Sequence, residues 1–118
     1  MRNFRTMHIW KESLELTTII YDLVKVLPPE ERYGLKSQIT RSSVSIPSNI
    51  AEGCRRSNKE FRHFLNIALG SSYELETQLI ISSRIGLVDS ETVKNVQLNL
   101  TTLQKRINAF RNSIKHTP

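Results

Sequence analysis

An apolar seam between residues 93 and 114 constrains the fold of this sequence more than any other feature. Apolar side chains recur there at alternating steps of three and four residues, the spacing of one face of an α-helix. Asp89 precedes the seam as an N-cap and Glu91 lies in the first turn, which are favourable positions at a helix N-terminus. The sequence therefore predicts an amphipathic helix with the seam Val93, Val96, Leu100, Leu103, Ile107, Phe110 and Ile114.

A second amphipathic helix is predicted from Trp10 onward. It should stop at Pro28 and Pro29, because proline lacks the backbone donor that a continuing helix needs. Charged residues fall on the face opposite a wide apolar side. That side combines one stripe of Trp10, Leu14, Thr17, Tyr21 and Val24 with a neighbouring stripe of Leu16, Ile20, Leu23 and Leu27.

A third, longer helix is predicted to begin at a capping box. Ser57 can accept a hydrogen bond from the backbone of Glu60, and the Glu60 side chain can reach back. Gly86 is the expected C-terminal stop, because glycine tolerates the left-handed conformation there. The buried side is predicted to contain Phe61, Leu65, Ala68, Ser72, Leu75, Leu79 and Ser82.

The remaining helix is predicted from near Leu35 to Gly53 or Arg56, and it carries two stripes of small or apolar residues. A surface helix of a monomer needs only one such stripe. The stripe expected to face the core is Ile39, Ser43, Ile46 and Ile50, and the second stripe is Thr40, Val44, Pro47, Ala51 and Cys54.

The second stripe is made of small side chains, which let another backbone approach closely. Pro47 cannot donate to the carbonyl of Ser43, so the helix is expected to bend there, and the bend could steer its second half toward another subunit. The alternative is a harmless kink within a monomeric bundle. We predict that an interface between copies of this chain includes Val44, Pro47, Ala51 and Cys54.

Four helices with short connections and no strand alternation favour one architecture. We expect an all-α protein, an antiparallel up-and-down four-helix bundle with a kinked second helix, as a single domain over residues 1–118. No apolar run is long enough for a signal peptide or a membrane span. The lone cysteine, Cys54, argues for a reducing compartment. We therefore expect a soluble, cytoplasmic protein with no membrane partner.

Motifs for catalysis, metals or cofactors are absent from the sequence. His8, His63 and His116 lie far apart, and no metal-ligand or phosphate-loop spacing occurs. Glu74 and Glu76 face different ways on one helix, so they make a poor acid/base pair. We expect no enzymatic activity, no metal and no cofactor.

Positive charge concentrates where the second helix meets the third. The chain has a net charge of +6 and a pI of about 9.8, which suits an anionic partner such as nucleic acid but also serves ordinary solubility. Because Phe61 and Phe64 should face inward, contact with backbone phosphates is more plausible than base stacking. The candidate nucleic-acid-binding residues are Arg55, Arg56, Lys59, Arg62 and His63, of which the four cations are expected to be exposed.

A group of polar residues on the second and third helices admits two interpretations. They could be ligands for a nucleotide or peptide. Alternatively, they could form a satisfied hydrogen-bond network, with Arg56 or Ser72 as further partners, that fixes register and partner choice. We favour the network, a buried polar cluster of Arg41, Asn49, Glu52, Ser71 and Glu74.

Several motifs resemble one known family. The segment SIPSNIAEG at residues 45–53 is similar to the signature of the 23S rRNA intervening-sequence protein family, and residues 31–41, 60–65, 67–72 and 74–79 match in order. The resemblance implies a four-helix bundle that assembles as a homopentamer, without enzymatic activity. A related branch comprises accessory proteins of diversity-generating retroelements, which associate with reverse transcriptase and nucleic acid. The family name records gene location and does not demonstrate RNA binding.

Two functional hypotheses follow from these observations. One is a pentameric, basic scaffold that associates with RNA or DNA, or with a nucleic-acid-processing partner such as a reverse transcriptase. The other is a protein–protein interaction adaptor whose charge only keeps it soluble. Binding that weakens with salt is expected for the first and not for the second.

Overall fold

Four α-helices joined by short turns make up the computed structural model, which describes residues 2–115. Three short 3₁₀ turns, Phe4–Thr6, Val24–Val26 and Pro29–Glu31, lie before α1 and between α1 and α2. The helices are α1 (His8–Leu23), α2 (Leu35–Cys54), α3 (Asn58–Arg84) and α4 (Ser90–Ser113).

The helices pack in chain order, each against the next, and α1 returns against α4. Short connections between successive helices make neighbours antiparallel, so the architecture is an up-and-down four-helix bundle. Its principal dimensions are 47 × 24 × 22 Å, and the described residues contain no strand. The predicted all-α four-helix bundle is confirmed. No helix within residues 2–115 combines the length and apolar character needed to cross a membrane.

Local signals set most of the helix ends. The Ser57 hydroxyl accepts a hydrogen bond from the backbone N–H of Glu60 at 3.2 Å, which caps α3 as predicted. Gly86 has a φ of +80°, the left-handed conformation that ends α3. Asp89 occupies the N-cap position of α4, but its side chain makes no capping hydrogen bond.

The core confirms the predicted seams of α2, α3 and most of α4. In α4 the seam is buried from Val93 to Ile107, and Phe110 and Ile114 are partly buried. In α1 the predicted face was too wide. Leu14 and Tyr21 are 39% and 49% exposed, because the buried side is centred on the neighbouring stripe. The buried α1 residues are Ile9, Ser13, Leu16, Ile20 and Leu23.

Helix α2 continues through Pro47, and a side chain from α1 satisfies the carbonyl that proline leaves free. Pro47 has no N–H to donate to the carbonyl of Ser43, four residues earlier. The hydroxyl of Thr17 shares its one proton between that carbonyl, at 3.1 Å, and the carbonyl of Ser13 in its own helix, at 2.8 Å. A buried carbonyl without a donor would destabilise the bundle, so this bond lets proline remain inside α2. It also links α1 to α2 at the middle of the bundle.

Candidate functional site

Residues 55–57 form a tight turn between α2 and α3 at one end of the bundle. We call this turn, with the adjoining ends of the two helices, the corner. The Ser57 hydroxyl donates to Oε1 of Glu60 at 3.0 Å, while Arg56 Nη1 donates to Oε2 at 3.2 Å. The hydrogen bond from Ser57 and then that from Arg56 lower the pKa of Glu60 below its ordinary value. The Glu60 carboxylate therefore stays charged, and it balances one cation of the corner.

Gly53 explains why α2 and α3 approach so closely at this corner. A Cβ atom at Gly53 would lie 2.6 Å from Cβ of Phe64 and 2.8 Å from Cδ1 of Phe61. Both distances are shorter than van der Waals contact allows, so only glycine fits without a shift of α3. The corner is thus a close-packed joint in which Phe61 is fully buried.

Arg56 lies between two carboxylates and is not free to bind an anion. Its Nη2 donates to Oε1 of Glu52 at 2.9 Å, and its Nη1 bonds to Glu60. These side-chain hydrogen bonds, the one to Glu52 first, raise the pKa of Arg56 above its ordinary value. The guanidinium also lies 5.1 Å from the centre of the Phe64 ring. Arg56 therefore organises the corner.

Arg62 is half-buried, so the expectation that all four corner cations are exposed was wrong for this residue. Its Nη1 donates to the carbonyl of Arg111 at 2.7 Å and to that of Ile114 at 3.2 Å. The last carbonyls of an α-helix have no partners within the helix, so a cation placed there is stabilising. Arg62 therefore closes the C-terminal end of α4 and fixes it against α3.

Arg55, Lys59 and His63 are exposed, and none of their side chains forms a hydrogen bond or ion pair with another described residue. Of the five predicted residues, these three are available to an external ligand. His63 packs edge-on against Phe64, with ring centres 5.7 Å apart. The corner thus presents two unmatched cations beside an imidazole.

Sequence reasoning missed the cations that the two chain ends bring to this corner. Arg2 stacks over the Phe61 ring at 4.7 Å and donates to the carbonyl of Cys54 at 3.4 Å and to the side chain of Asn58. Asn58 in turn donates to the carbonyl of Lys115 at 3.4 Å. An antiparallel bundle places the start of α1 and the end of α4 beside the α2–α3 turn. The predicted topology therefore already implied that Arg2 and Lys115 would lie near this turn.

The whole net charge lies in the half of the bundle that contains this corner. We define the basic half as residues 2–15, 45–71 and 102–115, which are the halves of the four helices nearest the corner together with their described flanking segments. It contains eleven Lys and Arg residues against four Asp and Glu residues, a net of +7. The other half contains six against seven, a net of −1. The protein is thus electrically polarised along its long axis.

The predicted interface stripe on α2 is divided by burial. Val44 is 40% exposed and Ala51 is half-buried. Pro47 and Cys54 are buried within the chain's own core, so these two were wrongly assigned to the surface. Burial also raises the pKa of the Cys54 thiol, which favours its neutral form. Val44 and Ala51 remain as surface positions of the stripe.

The predicted polar cluster forms only in part. Ser45 and Ser71 share a hydrogen bond of 2.8 Å, and the Asn49 amide donates to the carbonyl and hydroxyl of Ser45 at 2.8 and 2.9 Å. Glu52 turns instead to Arg56 on the surface. The assignment of Arg41 and Glu74 to a buried cluster was wrong, since both are exposed. Their long charged side chains extend into solvent, where they need no protein partner.

Potential metal ligands do not come together in the part of the chain that the structure describes. No group of three or more His, Cys, Asp or Glu side chains within residues 2–115 is arranged to hold a metal ion. His8 is exposed near the start of α1, His63 is exposed on α3, and His116 lies outside the described residues.

Comparisons with known proteins agree with the motifs in α2 and α3. A crystal structure from Bacteroides thetaiotaomicron, described as a protein with unknown function from the S23 ribosomal protein family, aligns with a TM-score of 0.81 and 28% sequence identity. The alignment covers 89% of this chain and 99% of that one. No curated protein matches the sequence. The profile described as 23S rRNA-intervening sequence protein matches residues 5–109, and the chain belongs to that family.

Proposed function

We propose that this protein is a non-enzymatic, homo-oligomeric four-helix bundle, with five copies in the assembly, that acts as a basic scaffold for RNA or DNA. The observation that carries the proposal is the polarised charge, +7 in one half of the bundle and −1 in the other. Charge needed only for solubility has no reason to collect at one end. A concentrated positive field attracts polyanions and raises the rate of their association.

Contact with backbone phosphates suits the side chains at this end. Arg55, Lys59 and Lys115 are exposed and carry no carboxylate partner among the described residues. Each phosphate that such a cation neutralises releases counterions, so affinity should fall steeply with salt. Backbone contacts carry no sequence information, which suits a scaffold that recognises nucleic acid in general.

Repetition would strengthen a weak site. Five copies with a charge of +6 each give an assembly of +30. If each copy makes only a few phosphate contacts, one nucleic acid that reaches several copies gains avidity without any new type of contact. A partner that itself carries nucleic acid, such as a reverse transcriptase, could be held on the same surface.

The test compares two charge-reversed triple variants in nucleic-acid binding at several salt concentrations. The variant Arg55→Glu, Lys59→Glu, Lys115→Glu should abolish binding to RNA and DNA at low salt. The control Lys36→Glu, Arg84→Glu, Lys94→Glu makes the same change in net charge in the other half, at exposed positions outside the cleft around Val44, and should keep most of the binding.

Far-UV circular dichroism of both variants checks that the helices remain folded. Equal loss of binding in the two variants would mean that only total charge matters, and it would contradict the proposed surface. If the wild-type protein binds no nucleic acid at low salt, the protein–protein adaptor becomes the better explanation.

Self-association has a separate test on α2. Val44 is 40% exposed and lies with Tyr21, Thr40, Arg41 and Ser45 around a shallow cleft between α1 and α2. Val44→Glu would place a charge in that surface and should reduce the mass measured by light scattering.

The control Leu98→Glu changes an apolar residue of α4 that is 70% exposed, and it should leave the mass unaltered. A monomeric mass for the wild-type protein at micromolar concentration would overturn the proposed oligomer.

A further inference from the structure

The aromatic rings of the basic half are already occupied by other side chains. Phe61 is buried beneath Arg2 and packs edge-on against Phe110 at 5.7 Å between ring centres. Phe4 packs edge-on against Trp10 at 5.1 Å, and Arg5 lies 4.5 Å from the centre of the Phe4 ring.

Phe64 is likewise covered by Arg56. Among the described residues of this half, the exposed rings are the imidazoles of His8 and His63. Proteins that bind single strands without sequence preference stack successive bases on several rings. Two imidazoles on different helices, with no exposed Phe, Tyr or Trp beside them, are not such a platform.

The exposed tyrosines lie far from the unmatched cations. Tyr73 is 49% exposed and follows Lys59 on α3 by fourteen residues, which places it about 21 Å along the helix axis. Tyr21 and Tyr33, which are 49% and 86% exposed, lie near the end of α1 and the start of α2, at the opposite end of the bundle. The bases of a single nucleic-acid strand bound to the unmatched cations would not reach these tyrosine rings.

The cations of the basic end come from all four helices or their flanking segments, and most lack a carboxylate partner. Arg5 and Lys115 are exposed on the segments that flank α1 and α4. Arg111 bonds to the side-chain oxygen of Asn66 at 2.5 Å, a neutral group that leaves its charge uncompensated. The set is Arg2, Arg5, Arg55, Arg56, Lys59, Arg62, Arg111 and Lys115, against the carboxylates of Glu52 and Glu60.

We infer that the basic end binds double-stranded nucleic acid through its phosphate backbone, in preference to single strands. This inference rests on the proposed function and deepens it by naming the form of nucleic acid. A surface with many cations and no stacking platform gains from phosphate density and nothing from exposed bases. A duplex presents one phosphate charge per about 1.7 Å of axis, twice the density of one extended strand.

The size of the basic end fits a short duplex footprint. The bundle is 24 × 22 Å across its long axis, which corresponds to about seven base pairs at about 3.4 Å each. Within the basic end, Arg5, Arg55, Lys59 and Lys115 are exposed, and their side chains form neither an ion pair nor a hydrogen bond with another described residue. Four phosphate contacts by one copy would contribute about −3.6 to the slope of log affinity against log salt on a DNA duplex.

The experiment measures affinities of the wild-type protein for a DNA duplex, an RNA duplex of the same sequence and the separated, unstructured strands, at several salt concentrations. We expect at least one duplex to bind about tenfold more tightly than its single strands at low salt. Arg5→Gln and Lys115→Gln should each make the duplex salt slope shallower by about 0.9 for each copy that contacts the duplex. Lys94→Gln, a matched change at an exposed lysine of the other half, should leave the slope unchanged.

The outcomes separate this inference from the proposed function. Single strands that bind as tightly as the duplexes, or more tightly, would overturn the duplex preference and leave the basic scaffold standing. The absence of binding by every probe at low salt would overturn both. If the salt slopes for duplex binding do not change in Arg5→Gln and Lys115→Gln, these two residues do not contact the phosphates, and the assignment of the duplex-binding surface is wrong for them.

Discussion

The joint between α2 and α3 gives the sharpest test of the packing, because the same substitution at two glycines should have opposite effects. At Gly53 a Cβ atom would lie 2.6 Å from Phe64 and 2.8 Å from Phe61. Cβ of Phe64 is attached directly to the backbone, and the ring of Phe61 is fully buried in the core, so neither can move far without shifting α3. At Gly70, in the middle of α3, a Cβ atom meets nothing within 4 Å.

Two terms of opposite sign set the expected magnitudes. Alanine is favoured over glycine inside a helix by about 0.5–1 kcal/mol, because glycine loses more backbone entropy on folding. Overpacking of a well-packed core costs roughly 1–3 kcal/mol. Gly53 is the penultimate residue of α2, where the helix-propensity gain is smallest. We therefore expect Gly53→Ala to destabilise by about 0.5–2 kcal/mol and Gly70→Ala to stabilise by about 0.5–1 kcal/mol.

Urea unfolding followed by far-UV circular dichroism measures both changes. The protein concentration must be the same throughout, because the stability of an oligomer depends on it. In thermal unfolding, 1 kcal/mol corresponds to a shift of about 4 °C for a domain of this size. Wild-type stability or better in Gly53→Ala would refute the close contact between α2 and α3. A loss in Gly70→Ala would show that the surface around Gly70 is covered in the assembled protein.

Three further predictions concern the core, the proline carbonyl and acid stability. Leu103 is 2% exposed, so Leu103→Ala should lower the free energy of unfolding measured in urea by about 2–5 kcal/mol. A decrease below about 0.5 kcal/mol would contradict the place of Leu103 in the seam. Thr17→Val removes the donor to the Ser43 carbonyl and should cost about 1–3 kcal/mol, whereas Thr18→Val, whose hydroxyl bonds within α1, should change little. Because the folded-state pKa of Glu60 is lowered from 4.5, its stabilising effect is present above about pH 4.5 and is lost as pH falls through the lowered value. The difference in stability between wild type and Glu60→Gln should therefore shrink in acid, and a constant difference would argue against that effect.

Periodicity predicted the fold because burial repeats along a helix. The seams of α2, α3 and α4 each have one face against the core, so a step of three or four residues identified that face. Helix α1 was harder, since Leu14 has the same side chain as the buried Leu16 and yet is 39% exposed. Which of two adjacent apolar stripes faces inward depends on where α2 and α4 pack. That information lies outside α1 itself.

The residues of the candidate site that lie close together in sequence were predicted, whereas the contacts between residues distant in sequence were missed. Arg55 lies in the turn before α3, and Lys59 and His63 lie in the first two turns of α3, so their proximity in sequence placed them together. Arg62 is also local, but its role as a cap depends on the carbonyls of Arg111 and Ile114, about fifty residues away. A pattern of charges cannot reveal a hydrogen bond to a distant backbone. Burial of Pro47 and Cys54 likewise depends on neighbouring helices and not on α2 alone.

The polarised charge arises from topology, since no segment is strongly basic on its own except the last. Residues 2–15 contain three Lys or Arg against two acidic residues, residues 45–71 contain four against two, and residues 102–115 contain four against none. Antiparallel packing adds +1, +2 and +4 at one end. Cyclic symmetry would relate copies by rotation alone and so place all basic ends at equivalent positions. In the proposed pentamer, five ends of +7 would then form one surface of +35, whereas a dihedral assembly would divide that charge between opposite sides.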